Sequence, residues 1–158
     1  MICAYDKVYL GKARVALGRM LDFAVYDLKY DLEKFFDLFI NSGVAARFAG
    51  GDFTVLVGMS GVELAYEVLE RAGVQYERIK PRYSVDRSAE YWLGWALAYY
   101  QWVTAMNFEE IVRYVPIKEI LKLYSPYHEM DIRQFVDKMN ILYRLAKPET
   151  IFEAQSKI

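Results

Sequence analysis

The chain has 158 residues, with 20 Lys and Arg against 21 Asp and Glu, a net charge of −1 and 55% hydrophobic residues. A single domain of that length buries most of its apolar surface without a covalent staple, and so much apolar content at so little charge excludes a disordered chain. One cysteine, Cys3, and one histidine, His128, exclude a disulfide framework, a multi-cysteine zinc site and every two-histidine metal motif, so no cofactor or metal is expected.

The near-zero charge also argues against bulk attraction to nucleic acid, which needs a basic face. Asp6, Lys7, Lys12 and Arg14 interrupt the N-terminal apolar stretch early, so no signal peptide is read there. With a lone cysteine, the expected location is the cytoplasm. Aromatic residues make up 16% of the chain and 14 of them are Tyr, which suits half-buried positions and interfaces.

From Asp6 to Lys29, apolar residues from Leu10 through Leu17 and Leu21 to Leu28 recur at three- and four-residue steps, predicting one helix. Asp31 caps a second helix through Asn41, whose stripe is Leu32, Phe35, Phe36, Phe39 and Ile40. Ser42-Gly43 ends it. Val44 to Phe48 is read as one helical turn, Gly50-Gly51-Asp52 as a turn, and Phe53 to Val57 as at most a short extended segment. Ser60 to Glu63 has the spacing of a capping box, opening a helix that Gly73 stops.

Between residues 75 and 87 the order weakens. Arg71, Arg78, Lys80, Arg82 and Arg87 outnumber Glu77 and Asp86, whereas Asp22, Asp27, Asp31, Glu33 and Asp37 outnumber Lys29 and Lys34. The two stretches read as solvated faces of opposite sign.

Residues 91–108 carry no formal charge. Their number approaches the roughly 20 residues of a bilayer span. However, two Leu, one Val and no Ile among scattered Trp and Tyr do not suit one. A helix apolar all round in a water-soluble bundle is the one the others pack against. Trp92, Trp95, Tyr99 and Trp102 follow one another on a face of it.

The C-terminal third punctuates itself with Asn107, Pro116, Ser125-Pro126 and Lys147-Pro148. These bound a short helix to Tyr114, a second along Ile117 to Tyr124, and a long one from about Glu129 to Ala146. The chain therefore reads as all-α: a single helical domain over residues 1–147, of about seven helices around the aromatic one. Residues 148–158 are a tail or short helix.

Catalytic chemistry is thinly represented. His128, in Tyr127-His128-Glu129-Met130-Asp131, has Glu129 and Asp131 as neighbours that could serve a base, but reads first as a histidine that caps or packs at a helix start. Gly50-Gly51 lacks the context of a phosphate loop, and the helix pair around Phe108–Tyr124 lacks the basic second helix of a sequence reader.

Several strings resemble an uncharacterised bacterial helical-domain family: Gly18 to Asp27, Phe35 to Ala45, Gly58 to Ala65, Tyr127 to Ile132 and, most specifically, Tyr91-Trp92-Leu93-Gly94-Trp95-Ala96-Leu97-Ala98-Tyr99-Tyr100-Gln101-Trp102. In that family the helical domain is often fused to a C-terminal Xre-type helix-turn-helix and encoded beside ADP-ribosyltransferase-like toxin genes. The resemblance implies an antitoxin-like regulator with a cognate protein partner, a toxin, or self-association. After Pro148 only ten residues remain, so direct nucleic-acid binding is not expected of this chain. The expectation is a non-enzymatic interaction domain without membrane association. The alternative is a sensory domain binding a small molecule among Trp92, Trp95, Tyr99 and Trp102. In either case His128 and Glu129 are further candidate binding residues.

Overall fold

The computed structural model describes residues 2–82 and 86–148. The described residues form an all-α single domain without strands. Its frame is a pair of antiparallel helices, α1 (Leu10–Asp22) and α6 (Ala89–Thr104), which share the most extensive contact in the molecule. They approach closely because small residues meet where they cross. A Cβ on Gly18 would stand 2.7 Å from the Tyr91 carbonyl oxygen. The two ends are tied as well: the Trp102 indole donates to the Tyr5 carbonyl (2.8 Å), and at the other end the Ser88 hydroxyl donates to Asp22 Oδ1 (2.5 Å).

Eleven of the sixteen residues of α6, among them Trp92, Leu93, Leu97, Tyr100 and Trp102, are buried, as a helix apolar on all sides must be. Among the described residues no helix is long and apolar enough to cross a membrane. α5 (Gly61–Ala72) lays Leu64, Ala65, Val68 and Leu69 against α1. Ser60 caps it by accepting from the Glu63 amide, and Gly73, at φ +72°, ends it. α2 (Leu32–Asn41) and the short α3 (Val44–Ala49) close one flank. There Phe36, Phe39, Phe48 and Phe108 form a set of mostly edge-on rings with centroids 5.3–6.3 Å apart.

Residues 53–57 differ from the sequence reading. They are no extended segment: Phe53–Leu56 is a helical turn, α4, because Asp52 caps it by accepting from the Thr54 amide while Val55 and Leu56 are buried. The first helix also departs from simple periodicity. Past Asp22 it widens into a π-turn, Phe23–Asp27, in which the Leu28 amide reaches the Phe23 carbonyl.

After α6, Ala105 turns into the left-handed region and Asn107 caps α7 (Phe108–Tyr114). α8 (Ile117–Leu121) follows Pro116. Ser125-Pro126 does not merely break that helix. It lies inside a further turn, α9 (Tyr124–Tyr127), since amides in a first helical turn have no intrahelical partner to lose. His128 therefore ends α9 instead of starting the last helix. That helix, α10 (Ile132–Ala146), is capped by Asp131 and packs Phe135 and Met139 inward. From residue 149 on, the expected tail lies outside the described residues.

Candidate functional site

The four rings expected on one face of α6 go to different places, because steps of three, four and three residues do not stay on one line of a helix with 3.6 residues per turn. Trp102 is buried against the N-terminal segment through its bond to Tyr5. Tyr99 is half-buried beside it, its ring centroid 5.8 Å from that of Trp102. Trp95 carries the Arg14 guanidinium over its indole, 3.4 Å from the ring centroid, and Arg14 Nε donates to the Trp95 carbonyl at 3.2 Å. Burial of that guanidinium lowers its pKa to about 10.

Trp92 packs edge-on against Phe135 and Tyr124, at 5.2 and 5.8 Å. Tyr124 is the first residue of α9, and one turn later the His128 ring stacks on it at 4.1 Å and 22°. The structure thus brings three of the six candidate residues, Trp92, Trp95 and His128, to one cleft. Arg87, Ser88, Tyr91 and Tyr124 line it with them, and its volume is about 260 Å³. Glu129 is 87% exposed beyond the rim, its Oε1 3.7 Å from His128 Nε2. The tautomer of His128 is set by its surroundings. Nδ1 lies 2.7 Å from the Tyr124 carbonyl oxygen, which can only accept, so the ring proton of the neutral form sits on Nδ1.

Ser88 and Arg87 are shared with a neighbouring polar cleft of about 200 Å³, bounded also by Asp22, Tyr26, Arg82 and Asp86. Buried carboxylates here are held. Asp22 accepts from Ser88 and pairs with Arg19 at 2.9 Å; Glu90 accepts from the Tyr26 hydroxyl at 2.9 Å. Burial first, then the bond to Glu90, push the Tyr26 hydroxyl above its ordinary pKa. Asp27, at the end of the π-turn, has a side chain only 2% exposed. Its Oδ2 accepts from the Arg82 amide at 2.6 Å, while Oδ1 has only an ion pair to Arg82 Nε at 3.6 Å. These contacts hold the 74–82 segment to the bundle. No group of three or more His, Cys, Asp and Glu among the described residues is arranged to hold a metal.

A third concavity, about 520 Å³, runs beside α1 between Gly11, Lys12, Val15 and Arg19 and the Val57–Gly61 connection into α5. Phe53, 62% exposed, meets Tyr9 edge-on at 5.8 Å near it, and Val8 and Val15 are 74% and 48% exposed. The sequence reading missed this groove and the contributions of Arg87, Tyr91 and Tyr124 to the aromatic cleft. The groove had a signal: Val8 and Val15 are seven residues apart, on the side of the first helix opposite its buried stripe. The partners of Trp92 and Trp95 had none, since α9 and Arg87 reach them only through the tertiary fold. Compared with known proteins, the chain matches no family model, no curated sequence and no solved structure.

Proposed function

We propose that this chain is a non-enzymatic interaction domain of the cytoplasm. It docks a protein partner in the groove beside α1, as the antitoxin-like component of a toxin–antitoxin-like operon. The observation that carries this reading is the grouping of Val8, Val15 and Phe53, all exposed, around one concavity that Val57 and Met59 also line. Single exposed apolar residues are ordinary; several around one groove mark a contact surface. Lys7 and Lys12 have no ion pair among the described residues and leave this side basic. It therefore fits a partner segment with an apolar anchor flanked by acids. The resemblance to a family encoded beside ADP-ribosyltransferase-like toxin genes supports a toxin as that partner.

Co-expression with the product of the adjacent gene, followed by affinity purification and light scattering, tests the proposal. The two proteins are expected to co-purify. Phe53→Glu should abolish the complex while the helical circular dichroism is retained, and Lys12→Glu should weaken it and flatten its salt dependence. A wild-type chain that stays monomeric and captures nothing overturns the reading. A homodimer dispersed by Phe53→Glu would replace the partner with a second copy.

A further inference from the structure

We infer that the cleft between the start of α6 and α9 binds a small planar aromatic carboxylate. The walls are flat. Trp92, Trp95 and Tyr91 supply rings from α6, and Tyr124 and His128 supply a stacked pair from α9. Flat π-surfaces on both sides select a planar guest, which gains offset or edge contacts that a puckered ring cannot make. The volume of about 260 Å³ lies just under the range of about 300–1,000 Å³ that holds drug-sized ligands, which limits the guest to one or two rings.

The polar groups decide its charge. The Arg87 guanidinium lies over the Tyr91 ring at 4.7 Å and makes no hydrogen bond or ion pair among the described residues. A guanidinium stacked by its face keeps its donors in plane, in the fork that a carboxylate accepts through both oxygens. His128 spends Nδ1 on the Tyr124 carbonyl, and Nε2 has no partner within hydrogen-bond distance. Neither acid near the cleft neutralises Arg87: Asp22 is engaged by Ser88 and Arg19, and Glu129 points out to solvent. A cationic guest is disfavoured. The indole it would need already carries Arg14 at 3.4 Å, and Arg87 would repel it. A nucleotide would need more donors for its phosphates than one guanidinium.

Isothermal titration calorimetry and tryptophan fluorescence on the full chain, with benzoate, 2-naphthoate and indole-3-carboxylate as probes, test the inference. At least one probe should saturate a single site. The amide of that probe and cyclohexanecarboxylate should bind at least tenfold more weakly, because each lacks one of the two features. Arg87→Gln should lower affinity for the acid about tenfold and leave that for the amide unchanged. Tyr124→Leu should weaken both acid and amide, and both side chains are at the surface, so folding is checked readily by circular dichroism. The Phe53→Glu protein should bind the probe as the wild type does, which separates this site from the partner groove. Absence of saturation by all three probes up to about 10 mM, or equal affinity in wild type and Arg87→Gln, overturns the inference.

Discussion

Gly94 of α6 lies so close to Leu17 of α1 that a Cβ added to it would stand 2.5 Å from the Leu17 carbonyl oxygen. Backbone on both sides fills the space, and neither side can swing away as a side chain would. The crossing of the two central helices, and with it the placing of Trp92 and Trp95 beside Arg87, depends on that missing methyl group.

Gly94→Ala should therefore destabilise the fold by about 3 kcal/mol, the upper end of what overpacked cores show. Gly11→Ala is the contrast. Gly11 lies in the first turn of α1 with nothing within 4 Å of an added Cβ, so alanine should raise stability by about 0.5 kcal/mol through helix propensity. Urea denaturation of the three proteins measures both.

Alkaline pH should weaken the fold through Tyr100. Its side chain is fully buried, it donates to Asn140 Oδ1 at 2.8 Å, and burial raises its pKa to about 12. Above pH 10 the unfolded chain releases this proton while the folded chain retains it, so stability falls as pH climbs from 10 to 12. Tyr100→Phe removes that share, and its stability deficit relative to wild type should shrink by about 1 kcal/mol between pH 8 and pH 11. Tyr5 and Tyr26, whose hydroxyls are also shifted up by burial, leave a residual slope in both proteins.

Ser88 does two jobs with one hydroxyl. It accepts from the Tyr91 amide as the cap of α6 and donates to the buried Asp22 at the end of α1. Ser88→Ala should cost about 2 kcal/mol, more than a cap alone, because Asp22 keeps its charge but loses a donor. Ser88→Asp restores the cap and opposes Asp22, so it should be no better than alanine. Thermal melts of the three proteins distinguish these effects.

Asp27→Asn should loosen the 74–82 segment without unfolding the bundle. The carboxylate grips the Arg82 amide and its guanidinium, and an amide side chain forfeits the charge in both contacts. Limited trypsin digestion should cut after Arg78 and Arg82 several-fold faster than in wild type, with little change in the global melting temperature. Equal cleavage rates would show that the Tyr66 hydroxyl, which bonds Ile79 at both its amide and its carbonyl, holds the segment alone.

The architecture was legible where local chemistry and packing agree. Asp31, Ser60 and Asn107 each accept from an amide three residues on, as their spacing predicts, and the uncharged stretch is the buried helix. Phe53–Val57 misled because an apolar, β-branched run suits a strand, while the cap supplied by Asp52 outweighs that preference over so short a length. Pro126 read as a breaker because a one-turn helix leaves no periodicity to see. The aromatic cleft was half legible. Trp92 and Trp95 are conspicuous in the sequence and His128 is unique, but nothing local predicts that α9 folds back over α6, or that Arg87 arrives beside it. Tyr99 and Trp102 went elsewhere for a geometric reason: ten residues is nearly three turns, and the face drifts over that distance.

The widened turn at Phe23–Asp27 accommodates one more residue than an α-helix would over the same rise. Losing any single residue there would let the helix close up into regular winding, and local propensity would welcome the change. Everything downstream on that helix would then swing by about 100°. Tyr26 would leave Glu90, and Asp27 would turn away from the segment it tethers. A shortened chain of that kind would gain a better first helix and forfeit its polar anchorage at both places at once, so the extra residue acts as the key that sets the angular register of this end of the domain.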